Sequence, residues 1–218
     1  MNLKTRADRI RRILKERYPE AVTPLLHETP FQLLVATILS AQCTDNQVNK
    51  VTRELYKHLK SPDDFAGVLV GTIEKYIRST GFYHNKAKNI KNCSKMILEN
   101  HAGQVPRTLE DLVKLPGVGR KTANVVLGAV FNTPGIVVDT HVGRISRRLG
   151  LTIHKDPVKV EFDLMPIIPQ RDWSDFSLRL VFFGREICSA RKPKCPICPL
   201  SKLCPWPDKT TYQGHDET

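Results

Sequence analysis

Leu115-Pro116-Gly117-Val118-Gly119-Arg120-Lys121-Thr122-Ala123 lies between two stretches of helical periodicity, and that arrangement decides how the chain is read. Upstream, Thr108-Leu109-Glu110-Asp111 has the form of a capping box, and Leu109, Leu112, Val113 and Leu115 recur as a short apolar stripe. Downstream, Ala123, Val126, Leu127 and Val130 form another. Two glycines spaced by one residue allow a tight turn and let backbone amides face an anion. The second helix is expected to begin near Gly119 or Arg120, with its positive dipole end at the turn. A hairpin of this kind holds a phosphate oxygen without reading base sequence. It is not a nucleotide P-loop, because the Gly-x4-Gly-Lys-Ser/Thr spacing is absent.

Outward from the hairpin the same periodicity continues. Leu33, Leu34, Thr37, Ile38 and Ala41 form one stripe, Val48, Val51, Leu55 and Leu59 a second, and Ile90, Cys93, Ile97 and Leu98 a third. Leu3, Ala7, Ile10, Leu14 and Tyr18 mark an N-terminal helix ending near Pro19 and Pro24. Ile145, Arg148 and Leu149 lead to Gly150, a C′ candidate, and Val158–Leu164 and Phe176–Phe183 follow. Gly135-Ile136-Val137-Val138 resembles a strand but alternates too briefly to start a sheet. The expected fold class is all-α, with Asn132-Thr133-Pro134-Gly135 the best internal break and a polar, fraying tail after Pro207.

The chain has 218 residues, 34 Lys plus Arg against 22 Asp plus Glu, and a formal charge of +12. Such an excess suits a polyanionic partner, most often nucleic acid; the plainer alternative is a generally basic, solvated surface. No run of about 18 apolar residues is present, so no membrane span is expected. The N-terminus is too charged for a signal peptide, and Asp8, Glu16 and Glu20 argue against a transit peptide. The expected compartment is the cytoplasm, at the nucleoid if the source is prokaryotic, where thiols stay reduced.

That matters for Cys188, Cys195, Cys198 and Cys204, spaced C-x6-C-x2-C-x5-C near the C-terminus. Four soft ligands this close point to a metal or cluster; Pro193, Pro196, Pro199 and Pro205 place them on a folded loop. Zinc and iron–sulfur clusters both accept four cysteines, and spacing does not separate them. Paired disulfides are the alternative that a reducing compartment disfavours. Cys43 and Cys93 read as packed thiols.

Two residues carry candidate chemistry. Lys121 falls in the first turn of the helix after the hairpin, where the dipole disfavours a cation and favours a neutral, nucleophilic amine able to form a Schiff base. Its plainer role is another phosphate contact. Asp139 follows the apolar run Ile136–Val138 and can cap a helix beginning at Thr140-His141-Val142-Gly143-Arg144; its carboxylate could also stabilise positive charge on a substrate. His141, beside it, reads as structural or as a contact to DNA.

Taken together, the helix-hairpin-helix Leu115–Thr122, the stretch Val138-Asp139-Thr140-His141 and the four cysteines resemble the endonuclease III family of DNA glycosylases. Leu39-Ser40-Ala41-Gln42 with Thr44-Asp45, and Gly81-Phe82-Tyr83 with Lys86-Ala87, are similar to it as well. The similarity covers about residues 5–206. It implies two helical lobes: residues 23–133 as a six-helix domain carrying the hairpin (about 108–130), and residues 1–22 with 134–218 as a four-helix domain closed by a 4Fe-4S cluster loop at 188–204. DNA would cross the cleft between them with the damaged nucleotide flipped out. Lys121 matches the family's nucleophile and Asp139 its catalytic carboxylate. Gln42 matches the residue that fills the gap left by the flipped nucleotide. Phe82 takes a wedge position where that family often has leucine.

Leu115, Gly117, Val118, Gly119, Arg120, His141 and Arg144 would contact DNA, as would Lys192 and Lys194 of the basic loop Arg191-Lys192-Pro193-Lys194. The implied activity is removal of oxidised pyrimidines from duplex DNA, followed by strand cleavage, by a monomer. Related monofunctional glycosylases lack the lysine. A non-catalytic DNA-binding module holding zinc would explain the charge, hairpin and cysteines but not Lys121 and Asp139.

Overall fold

The computed structural model describes residues 1–209; residues 210–218, most of the tail expected to fray, lie outside them. Eleven α-helices are present among the described residues, and no strand. They form two compact units, Thr23–Thr133, and Met1–Val22 with Pro134–Thr218.

The unit Thr23–Thr133 is built around α2 (Pro30–Leu39). Thr29 caps its start, accepting from the Gln32 amide, and Pro30 opens it. A one-sided stripe was expected, but every residue from Phe31 to Leu39 is buried, so the helix runs through the core. Its polar residues are satisfied: Gln32 accepts from the Glu28 amide, and the Thr37 hydroxyl donates to the Leu33 carbonyl. Ala41, the last of the expected stripe, lies exposed beyond the helix end. Around α2 stand α3 (Asp45–His58), α4 (Pro62–Gly67), α5 (Val70–Ile77), α6 (Tyr83–His101), α7 (Leu109–Leu112) and α8 (Arg120–Val130).

These are seven helical segments where the resemblance implied six. A complete capping box starts α4, with the Ser61 side chain on the Asp64 amide and the Asp64 side chain on the Ser61 amide. Val68 and Leu69 then turn extended and separate α4 from α5. Lys91 of α6 holds that break by donating to the Ala66 and Val68 carbonyls. At Thr108, by contrast, the anticipated box is only half made. The Thr108 hydroxyl accepts from the Asp111 amide, but the Asp111 carboxylate is taken by that hydroxyl and by Lys114.

The other unit has its own core. In α1 (Leu3–Arg17), Ala7, Ile10 and Leu14 are wholly buried. They belong to an apolar core with Val142 and Ile145 of α9 (Thr140–Arg148), Val160 and Leu164 of α10 (Pro157–Leu164), and Phe176, Leu180 and Phe183 of α11 (Trp173–Glu186). The N-terminal helix therefore joins a core assembled from the far end of the sequence. Arg179 of α11 fixes its exit by donating to the Tyr18 and Pro19 carbonyls.

Residues 135–138 join no strand among the described residues. The Gly135 amide donates to the Ser174 hydroxyl and the Val137 amide to the Ser177 hydroxyl, so α11 meets the backbone needs that a sheet would otherwise meet. That segment delivers Asp139. No helix among the described residues is long and apolar enough to cross a membrane.

Candidate functional site

The hairpin has the expected form with a different division of labour between its glycines. Gly117 sits at φ +79°, the left-handed region, and a Cβ there would lie 2.9 Å from the Asn89 Cβ of α6. Gly119 is the N-cap of α8 with φ −92°, which any residue adopts, and a Cβ on it would meet nothing. Its missing side chain leaves open space at the amide end of α8 instead of permitting the turn. It also supplies no capping hydrogen bond. Leu115 and Val118 are buried, so their side chains belong to the core and only their backbone can face a ligand. Arg120 is half-buried and already engaged within the protein.

Lys121 is the second residue of α8. It is exposed, and its amine makes no hydrogen bond or ion pair among the described residues. That leaves a nucleophile-capable group uncommitted at the positive end of a helix.

Asp139 is the N-cap of α9, its Oδ1 accepting from the Val142 amide at 2.8 Å. The structural role anticipated for it is thus present. Two residues on, His141 Nδ1 stands 3.2 Å from Arg144 Nη2, and that nitrogen also donates to the Cys188 carbonyl at 2.8 Å. Arg144 Nη1 donates to the Thr140 carbonyl, Nε is buried without a partner among the described residues, and burial pushes the guanidinium's pKa down. Arg144 thus links His141 to the cysteine loop. The ring of His141 is seated on Gly184 of α11: a Cβ there would come within 2.5 Å of Nδ1 and 2.8 Å of Ile145 Cδ1.

Gln42 and Phe82 share a backbone peculiarity. Both occupy the left-handed region, at φ 55° and 51°, without being glycine. Phe82 is 64 % exposed and is the uncapped N-cap of α6. The sequence pattern placed these residues but gave no hint of their conformation.

Cys188, Cys195, Cys198 and Cys204 are free thiols lining one cavity with Leu149, Phe183 and Ile187. Burial pushes the Cys198 thiol up to about 11 and raises Cys204 as well. Among the described residues no three His, Cys, Asp or Glu side chains converge on a point where one metal ion could bind. A single zinc needs its sulfurs within about 2.3 Å of one centre. Four cysteines that share a cavity without converging fit a larger body, a 4Fe-4S cluster, whose iron charge would offset the cost of buried thiolates.

Sequence reading missed the residue that holds this loop. Arg148 was counted in the apolar stripe of α9, yet its Nη1 donates to the Cys188 Sγ at 3.3 Å and the Ser189 carbonyl at 2.7 Å, and its Nη2 to the Ala190 carbonyl. Trp206 stacks on it, 4.0 Å from ring centroid to guanidinium. An arginine standing in an otherwise apolar stripe was the available signal. In the basic loop Pro193 is buried, the Lys194 amide bonds the Ile187 carbonyl, and the side chains of Arg191, Lys192 and Lys194 are exposed.

Comparison with known proteins agrees with this description. The HhH-GPD superfamily of base excision DNA repair proteins matches residues 35–170, and the iron-sulfur binding domain of endonuclease III matches residues 188–204. Endonuclease III of Synechocystis sp. is 52 % identical over 203 residues, covering 93 % of either chain. The Bacillus subtilis enzyme is 50 % identical over 198 residues and 90 % of either chain. The solved structure of a trapped endonuclease III–DNA covalent intermediate, an estranged-adenine complex, superposes with a TM-score of 0.90 at 46 % identity, covering 94 % of this chain and 97 % of that one.

Proposed function

We propose that this chain, which belongs to the endonuclease III family of base excision DNA repair proteins, is a DNA N-glycosylase with abasic-site lyase activity acting on oxidised pyrimidines in duplex DNA. The observation that carries the reading is Lys121, an exposed and uncommitted amine in the first turn of a helix that lacks a side-chain cap.

In this reading the Lys121 amine attacks C1′ of the flipped nucleotide. The N–C1′ bond forms as the C1′–base bond breaks, and the base leaves with the bonding pair and takes up a proton. Opening of the sugar ring gives the Schiff base, with O4′ accepting a proton. Loss of a C2′ proton then drives the electron pair toward C3′, the C3′–O3′ bond breaks, and the strand is cut 3′ to the lesion. Hydrolysis of the imine returns Lys121. Asp139 supplies the negative charge that stabilises cationic character on the sugar as the base departs.

The amides around Gly117, Gly119 and Arg120 hold backbone phosphate, and His141, Lys192 and Lys194 add contacts to DNA. Gln42 fills the gap left by the flipped nucleotide, and Phe82 wedges the opposite strand. Bound by the four cysteines, the 4Fe-4S cluster supplies a cross-link that closes residues 188–204 into a loop, with every ligand position filled by protein sulfur. The proposed partner is duplex DNA carrying damaged bases or abasic sites, met by a monomer in the cytoplasm at the nucleoid.

Borohydride reduction of the Schiff base tests the central claim. The parent protein should yield a covalent adduct with an abasic-site duplex, and Lys121→Ala should yield none; an undiminished adduct in that variant would sink the assignment.

A further inference from the structure

We propose that Lys86 is a positioning residue of the DNA-reading surface, a buried ammonium that fixes as a pair the two turns presenting Gln42 and Phe82. Lys86 lies in the first turn of α6 and is only 5 % exposed. Its Nζ donates to the Leu39 carbonyl at 2.9 Å and to the Thr80 carbonyl at 2.8 Å. Burying a lysine is costly, and here desolvation pushes its pKa down. No carboxylate ion pair offsets that cost among the described residues; the ammonium is spent on two backbone oxygens.

Both oxygens stand at ends of helical segments. Leu39 is the last residue of α2, and Thr80 the last of the 3-10 turn Arg78–Thr80. Gln42 follows the first by three residues and Phe82 the second by two. Each is held in the left-handed region that a residue with a Cβ avoids. Neither gains burial in return, since Gln42 is exposed and Phe82 mostly so. Strain of this kind persists only where the surroundings over-determine it, and it is characteristic of functional turns. Lys86 is the group common to both surroundings. A second tie, from Gln47 Nε2 of α3 to the Ser79 hydroxyl at 2.7 Å, joins the helix that follows Gln42 to the 3-10 turn that precedes Phe82. Three residues after Lys86 on the same helix, Asn89 backs Gly117 of the hairpin, so α6 serves three of the segments assigned to DNA.

The inference rests on the reading of Gln42 and Phe82 as DNA contacts, and its test separates the two ideas. The Schiff-base chemistry needs only the sugar, whereas Gln42 and Phe82 matter only where a second strand is present. Lys86→Met keeps a long, unbranched side chain, one atom shorter, and removes its donors. It should slow single-turnover cleavage of a lesion duplex on the order of 10- to 100-fold, the effect of a small misplacement. Nicking of a single-stranded abasic oligonucleotide should be unchanged. In a Gln42→Ala/Phe82→Ala background, adding Lys86→Met should cost nothing further on duplex, because the groups it positions are gone.

If Gln42→Ala/Phe82→Ala cleaves duplex like the parent, the DNA-contact reading fails and the positioning role falls with it. If that variant is slow but Lys86→Met is not, or if Lys86→Met slows both substrates alike, the positioning role alone is overturned. Should Lys86→Met fail to fold, Lys86→Gln, which keeps one donor within reach, carries the same comparison: a loss confined to duplex supports the proposal, and an equal loss on both substrates overturns it.

Discussion

Asp139 shows two duties on one side chain, and they can be separated. Oδ1 caps α9 through the Val142 amide, a neutral geometric task that asparagine performs about as well. The negative charge is what the proposed chemistry needs. Asp139→Asn should therefore leave the thermal midpoint essentially unchanged while slowing base release on the order of 10²-fold, the usual cost of removing one electrostatic stabiliser. Asp139→Ala should add a stability loss of about 1 kcal/mol from the missing cap. Single-turnover release of a damaged base, set beside a thermal melt, reads both; full activity in the asparagine variant would reduce Asp139 to a cap. The residue was legible in sequence because capping grammar and chemistry select the same amino acid. Arg148 was not, because spacing along a helix says which face a residue takes but not what comes to meet it, and its partners lie some forty residues further along the chain.

Among elements, the join between α1 and α11 carries a titration that can be followed. The Tyr18 hydroxyl donates to Glu186 at 2.5 Å, and Arg17 pairs with the same carboxylate. Burial, and then that carboxylate, push Tyr18 from 10.0 up to about 12. A raised pKa in the folded state means that its stabilising contribution is whole below pH 10 and is lost as pH climbs toward 12. Tyr18→Phe should cost about 1 kcal/mol or less at neutral pH, the pair being partly exposed. The gap between parent and variant in urea unfolding should close across that alkaline window; a gap independent of pH would mean that the hydroxyl contributes nothing through Glu186. Most helices were legible because apolar periodicity marks them, and caps such as Thr29 and Thr44 stand where it begins. The break between α4 and α5 was not, since it depends on Lys91 reaching across from α6. The left-handed turns at Gln42 and Phe82 were hidden for the same reason: the tie that holds them is tertiary.

The whole molecule has two apolar cores, and the chain enters the one beside the cysteine loop twice, first through α1 and again from Ile136 onward. Leu149, Phe183 and Ile187 belong to that core and also line the cysteine cavity, so packing around α1 and retention of the cluster draw on the same contacts. Leu14 of α1 is fully buried in that core, and Leu33, equally buried, belongs to the other. The two leucines thus make a matched pair with different expected consequences. Leu14→Ala and Leu33→Ala should each destabilise the core they leave by about 2–5 kcal/mol, the range for a buried leucine truncated to alanine. Only Leu14→Ala should hasten loss of iron–sulfur absorbance when the holoprotein stands with a chelator, because local opening on that side exposes the thiolate ligands. Leu33→Ala should lose the cluster at the parental rate while weakening the support under α2, and with it the turn that presents Gln42. Equal acceleration by both substitutions would show that the cores open together and that the cluster reports on global unfolding rather than on the packing around it.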